Sequence, residues 1–392
     1  MSILVQGTDV STYVPNGNWG ETTTGVQLVP IEGIGVSAAT IGTPNAVNSC
    51  SSNSATGRTV CVSNGTDVYL ITGSTLETTL TDGGSGTVSF SGGDCTTCGV
   101  VVDSSSNTAV IGVALGSDSG FQFLNLSNNS LATPISAQNA AISESFAVDP
   151  LSNLILSPSE DENGNFPANF QLLKPSGTTA TIFDFQNAAT VFVLPNDELD
   201  GGAADCTTGI SLSSLEFTDN LFISDLSQAT FTAGTGGLPG TWTAPNQIQT
   251  FTDFQTFSAG TTGLAVAPSG HLGILEDEGG SSAFGAIQLP ATAGTGTPSV
   301  VDWVAASMPA DDPSGQAWSF PLDPHALTVY VSPNNGKAYG LMVNDARTYV
   351  AKIDLAGLLA AMRTAGTHTV DSSVDLVATG VLTFIKMPGI PS

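Results

Sequence analysis

Short β-branched and apolar runs alternate along the chain with clusters of Gly, Asn, Asp and Ser, and apolar positions at helical spacing are almost absent. Gly99-Val100-Val101-Val102-Asp103 leads through a turn at Asn107 to Thr108-Ala109-Val110-Ile111-Gly112-Val113. Gly120-Phe121-Gln122-Phe123-Leu124-Asn125-Leu126 then follows. Similar successions of strands return at 146–173, 209–225, 263–287 and 327–353. Residues 355–362 are the one segment that reads as a helix. So little helix excludes alternating strand–helix units and leaves an all-β architecture.

Anchored on the residue that ends each first strand, the copies fall at Asp103, Asp149, Ser213, Ala267 and Ser332, with separations of 46, 64, 54 and 65. An earlier copy begins near Cys50, and the tail 381–387 reads as a further first strand. A period of about 55 residues with three or four strands per unit is the signature of a β-propeller, and this length holds about seven units, six or eight also fitting the uneven spacing. The expectation is therefore one all-β domain, 1–392, folded as a seven-bladed β-propeller. Its ring is expected to close with both termini in one blade: 381–387 as the innermost strand, and 3–6, 10–14 and 26–31 as its outer partners. Such closure removes the free edge of an open stack.

The unit Gly-Val-x-Val-Asp followed by x-x-x-Asn and an apolar strand, carried by 99–113 and with variations by 146–156, resembles the NHL and YVTN repeat families. More distantly it is similar to the gluconolactonase-like propellers. The resemblance implies a propeller of six or seven blades with a ligand face at one end of its channel, in families that include enzymes, scaffolds and binders. In the gluconolactonase-like enzymes Glu, Asn and Asp hold a channel metal. Leu194-Pro195-Asn196-Asp197-Glu198-Leu199-Asp200 is similar to their Asn-Asp segment, with Glu21 or Glu32 as the companion Glu. The departure is Gly201-Gly202-Ala203-Ala204, which reads as an insertion before the next strand.

Charge narrows the partners. Seven Lys and Arg stand against 34 Asp and Glu, a formal net charge of −27. That leaves no basic stripe for nucleic acid and disfavours an anionic membrane surface. No run of about 20 apolar residues marks a membrane span. Charged residues make up 10% of the chain, against about 25% in an ordinary soluble protein, so Ser, Thr, Asn, Gln and Gly build most of the surface. Met1-Ser2-Ile3-Leu4-Val5-Gln6 has neither the charged nor the apolar region of a secretory signal, which leaves a cytoplasmic location or a leader removed ahead of Met1.

Cys50 and Cys61 flank a turn that a hairpin disulfide can bridge. Cys95 and Cys98 form a C-x-x-C that reads as a local disulfide or two buried thiols, and Cys206 is left over. Together with the hydroxyl-rich surface, these favour a secreted, periplasmic or cell-surface protein.

In a four-stranded blade the turn between the second and third strands shares a rim with the approach to the next first strand. The turns carry Asp118, Glu160, Asp161, Glu162, Asp225, Glu276, Asp277, Glu278 and Asp345; the approaches carry Asp94, Glu144, Asp205 and Asp323. Acidic residues suit turns in general, but gathered on one rim they make a negative face for a cation, a small ligand or an extracellular protein. Ca²⁺, which accepts about six to eight oxygen ligands in loose geometry, suits Glu160, Asp161 and Glu162 or Glu276 and Asp277, with Asp225 and Asp345 as further ligands.

His325, close to Asp323, is either a channel-mouth base or ligand or a histidine hydrogen-bonded within its blade. Asp-Cys-Thr-Thr occurs at 94–97 and 205–208, each time before a first strand, and Cys95, Cys206 and His325 are a conceivable metal set. No nucleotide-binding or haem-attachment motif is present. Two functions follow from these residues: a non-catalytic binding scaffold with an acidic ligand face, or a metal-dependent lactonase-type hydrolase using His325 and Asp323.

Overall fold

The computed structural model describes residues 1–17, 21–84, 88–90, 93–95, 97–116, 118–137, 145–149, 151–159, 169–176, 179–185, 199–215, 220–228, 230–234, 240–243, 248–252, 261–267, 270–277, 282–294, 299–320 and 327–389. Among them strands dominate, with one α-helix, Leu355–Leu359, and one 3-10 turn, Leu226–Gln228. The helix starts where Asp354 accepts a hydrogen bond from the Gly357 N–H at 3.0 Å.

Antiparallel meanders follow one another along the chain. The first comprises Ser2–Gln6, Asp9–Pro15, Thr24–Glu32 and the first part of Ala39–Asn53. The second part of that long strand opens the next meander, with Arg58–Ser63, Asp67–Thr72 and Thr75–Thr81. The third is Thr97–Asp103, Thr108–Leu115 and Asp118–Asn125, edged by Ser130–Leu131 and Ile135–Ala137. The fourth is Ala147–Asp149, Leu154–Ser159, Asn169–Ser176 and Thr179–Phe185. The fifth is Leu199–Asp205, Ile210–Leu215, Asn220–Asp225 and Ile248–Thr252. The sixth is Thr261–Val266, Leu272–Asp277, Ala283–Gln288 and Asp302–Ser307. The seventh is Leu327–Val331, Ala338–Val343, Tyr349–Asp354 and Leu382–Lys386.

The first strands of successive meanders lie side by side, and Leu327–Val331 packs back against Ser2–Gln6. The inner strands can therefore be buried on both faces, which the two-residue side-chain period satisfies. In the second meander Val60, Val62, Val68 and Leu70 pack with Val100, Val102 and Ile111 of the third. The alternate residues Cys61, Tyr69 and Ile71 pack with Tyr13, Val26 and Leu28 of the first.

Two sequence expectations are corrected. The termini do not share a sheet: Leu382–Lys386 is the outermost strand of the seventh meander, and the N-terminus builds a complete meander of its own. Gly7, at φ 62°, turns the chain within the first hairpin. Thr383 and Lys386 are exposed, as suits a strand at the outer edge. First and last meanders still meet, through Met1, Val10, Val14 and Val29 packed with Tyr330, Leu341, Val343, Val350 and Met387.

The second correction lies in the fifth meander, whose first strand is Leu199–Asp205 rather than 209–213. Residues 201–204 are strand, not an insertion. A Cβ on Gly202 would come within 3.1 Å of Pro158 in the fourth meander, so glycine permits the close approach.

Two long connections cover outer edges. Gly240–Thr243, in the excursion of the fifth meander, pairs in parallel with Thr179–Phe185 of the fourth. Thr369, in the excursion of the seventh, bridges in parallel to Ala305 of the sixth. Both remove exposed edge hydrogen-bonding groups.

Candidate functional site

The meander geometry divides the turns between two rims. The turn rim carries the links from first to second and from third to fourth strands. The connection rim carries the links from second to third strands and the crossings to the next meander.

On the turn rim a short repeated unit recurs. The residue before or just ahead of each second strand is left-handed: Gly7, Gly57, Asn107, Asn153, Gly209, His271 and Gly336, with φ between 53° and 77°. Gly and Asn tolerate this conformation. The residue that ends the first strand caps the turn through its side chain. Asn53 accepts from the Ala55 N–H at 2.9 Å, Asp103 from Ser105 at 2.9 Å, Asp149 from Leu151 at 3.1 Å and Asp205 from Thr207 at 2.9 Å. Burial pushes the Asp103 carboxyl up, and hydrogen bonds from Ser105 and Ser106 outweigh it, leaving it below its ordinary value.

These capping side chains also reach the next meander. Asn53 Nδ2 donates to Asn107 Oδ1 at 2.7 Å, and Asp205 Oδ2 lies 2.6 Å from His271 Nδ1. At the ring seam, Glu32 accepts from Tyr330 at 2.7 Å, Ser332 at 2.6 Å, Asn334 at 3.0 Å and from Lys352. Lys352 Nζ sits 4.0 Å from the centre of the Tyr339 ring. Burial pushes the Glu32 carboxyl up, but the bonds from Lys352, Ser332, Asn334 and Tyr330 prevail and lower it from 4.5 to about 2. Glu32 thus serves as a clasp between the first and seventh meanders, with both carboxylate oxygens already hydrogen-bonded.

The corrected strand order moves to this rim two acidic residues expected on the other, one of them, Asp225, an expected ligand. Asp205 ends a first strand and Asp225 ends a third, so neither lies on the connection rim. Asp225 accepts from Ser227 N–H at 3.0 Å and from Gly294 N–H at 2.5 Å. Cys206 follows Asp205 in the turn, and burial, with the charges of Asp205 and Asp149 adding to it, pushes its thiol up. The Asp-Cys-Thr-Thr copies are therefore not equivalent: the second is a first-to-second-strand turn, while Asp94 and Cys95 lie in the hairpin strand Gly93–Cys95.

On the connection rim, Glu276 and Asp277 end the second strand of the sixth meander without exposed surface. Asp345 is exposed in the corresponding turn of the seventh. Glu160, Asp161, Glu162, Glu278, Asp323, His325 and 194–198 lie outside the described residues, as do the side chains of Cys95 and Cys98. Among the described residues no group of three or more His, Cys, Asp or Glu stands close enough to hold a metal ion.

Residues not singled out by their sequence also occupy this rim. Asp67 accepts from Asn45 Nδ2 at 2.7 Å and from the Tyr69 hydroxyl at 3.2 Å. Burial, reinforced by the Asp67 charge, raises Tyr69 to about 12. Asp82 and Gln122 lie between the second and third meanders, where the alternation of apolar strands leaves no signal for them.

Six of the seven basic residues have defined internal contacts. Arg58 pairs with Glu77 at 2.6 Å, Arg363 with Asp302 at 2.6 Å, Lys337 with Asp354 and Lys352 with Glu32. Arg347 is buried and donates to the Gly17 carbonyl at 3.1 Å, and Lys174 lies 5.6 Å from the Phe231 ring centre. The Cys50–Cys61 disulfide joins directly opposed residues of the second meander, with Cα atoms 4.1 Å apart. Among the described residues no helix is long and apolar enough to cross a membrane.

No family model matches the chain, and no curated protein matches it. Similarity to solved structures is at the level of fold. The β-propeller domain of Cps50 (Swd1) from Myceliophteria thermophila is 8% identical with a TM-score of 0.51, over 82% of this chain and 86% of that one. Hydrazine synthase from Kuenenia stuttgartiensis is 12% identical with a TM-score of 0.49, over 70% of this chain and 80% of that one. A chain of the mitotic checkpoint complex is 14% identical with a TM-score of 0.44, over 69% and 68%. The chain has a β-propeller fold.

Proposed function

We propose that residues 1–392 form one seven-bladed propeller of NHL or YVTN type that acts outside the cell as a non-catalytic binding scaffold, its acidic connection rim engaging a cationic partner. The observation that carries this reading is the fate of the basic side chains. Four of the seven are matched to carboxylates within the fold, so little free positive charge offsets the net charge of −27, and the molecule carries a negative field that attracts positive charge. Ca²⁺ held by the loop around Glu160, Asp161 and Glu162 belongs to the same reading. The disulfide and the near absence of Lys fit an oxidising compartment.

The test is titration with a fluorescent oligolysine peptide, and separately with Ca²⁺, at low and high salt. Binding of the peptide at low salt should be lost at about 0.5 M salt and weakened at least about fivefold by a variant combining E160Q, D161N, E162Q and D345N. Absence of binding, or equal binding by that variant, overturns the reading. Metal-dependent turnover of simple lactones, abolished by H325A, would move the protein to the hydrolase class.

A further inference from the structure

We propose that Asp82 is a proton-controlled latch for residues 82–84, where the chain leaves the second meander and touches the third. Three consecutive residues tie the two sheets together here. The Asp82 N–H donates to the Thr66 carbonyl of the second meander at 2.8 Å. The Gly84 N–H folds back onto Asp82 Oδ1 at 2.8 Å. The Gly83 N–H donates to Gln122 Oε1 of the third meander at 3.1 Å, and Gln122 Nε2 is itself anchored on the Ala132 carbonyl at 2.8 Å. A Cβ at Gly83 would meet Pro134 at 2.8 Å, so the chain at this residue lies directly against the third meander.

In this arrangement Asp82 is 8% exposed, and its Oδ2 is buried without a hydrogen-bond partner. An ionised carboxylate in that position loses hydration on one oxygen and receives nothing in return. The surrounding charges do not help. Asp67 begins the strand whose first residue pairs with Thr81, next to Asp82, and Tyr69 lies two residues further on. Arg58 stands at the opposite end of the second meander, paired with Glu77. The third meander contains no Lys or Arg between 97 and 137, and Asp118 begins the strand that carries Gln122.

A proton taken from solvent onto Oδ2 removes the uncompensated charge while the Gly84, Thr66 and Gln122 contacts stay in place. In agreement, burial pushes the carboxyl up, the Gly84 N–H opposes and Asp67 adds to the rise, bringing it from 3.8 to about 6. Because the folded value lies above the ordinary one, the docked connection gains stability as pH falls through about 6 and is weakest at neutral pH. Acid closes the latch; neutral pH loosens residues 82–84.

Hydrogen exchange read by mass spectrometry on the full chain tests this, after correction for intrinsic rates. Peptides covering 81–84 should be about fourfold better protected at about pH 5.5 than at about pH 7.5, and in D82N, which imitates the neutral acid, protection should not change between the two. Equal wild-type protection at both pH values, or a D82N protein that keeps the wild-type pH response, overturns the proposal. Where D82N fails to fold, carbon-13 carboxyl resonances of the unaltered protein decide: one aspartate should titrate near pH 6, and none doing so ends the idea.

Discussion

His271 Nδ1 lies 2.6 Å from Asp205 Oδ2, a carboxylate with no exposed side-chain surface. The two residues belong to adjacent meanders and occupy defined places in the repeat: Asp205 ends a first strand, and His271 is the left-handed residue, φ 54°, ahead of the next meander's second strand. Asn53 and Asn107 stand in the same relationship between the second and third meanders. In these two meanders the turn that shapes the sheet thus also fastens it to its neighbour.

D205A removes the acceptor for the Thr207 N–H, the Thr207 hydroxyl and His271 together. Urea unfolding should register a loss of about 2–4 kcal/mol. H271N keeps a side chain that tolerates the left-handed backbone and breaks only the link between meanders, for a loss of about 1 kcal/mol. Equal losses would mean that the bonds inside the turn contribute nothing.

Glu32 makes the ring seam acid-sensitive. Its folded value of about 2 lies below the ordinary 4.5, so its contribution is complete above pH 4.5 and disappears as pH falls toward 2. Melting temperatures measured across this range should fall more steeply for the wild-type protein than for E32Q. Parallel curves would show that the clasp to Lys352, Tyr330, Ser332 and Asn334 does not stabilise the fold.

The Cys50–Cys61 bridge closes a short loop, with a sequence separation of 11. Replacing both residues by Ser should lower stability by about 2–3 kcal/mol, read as a shifted guanidinium midpoint. Both cysteines are buried, so reductant should leave the bond intact until the protein unfolds. Rapid reduction under native conditions would contradict the packing around it.

Arg363 and His368 hold a strap over the outer edge of the sixth meander. Arg363 makes two bonds to Asp302, at 2.9 and 2.6 Å, and the His368 ring stacks on Trp303 at 4.4 Å. A variant with both changed to Ala should release Thr369 from Ala305 and expose the edge of Asp302–Ser307. Light scattering should then detect concentration-dependent association that the wild-type protein lacks. A monodisperse double variant would show that the strap is held by other contacts.

Much of the fold was legible in the residues. The strands at 99–126, 146–173, 263–287 and 327–353 reappear close to where alternation places them, because pleat alternation and turn chemistry act within a few residues. The helix after Asp354 and the Cys50–Cys61 pairing were visible for the same reason. The placing of the acidic residues was only partly legible. Asp277 and Asp345 stand on the connection rim, whereas Asp205 and Asp225 stand on the other, since an unrecognised first strand shifts every later turn of its meander to the opposite side.

Strand period, left-handed turn positions and disulfide spacing are local properties, and residue order carries them. Which rim a carboxylate occupies, and which sheet receives each terminus, depend on contacts between distant segments. Leu199–Asp205 shows why: a Cβ at Gly202, in its centre, would come within 3.1 Å of Pro158 of the neighbouring meander, so this strand position is left to glycine. That requirement arises only when the two sheets meet.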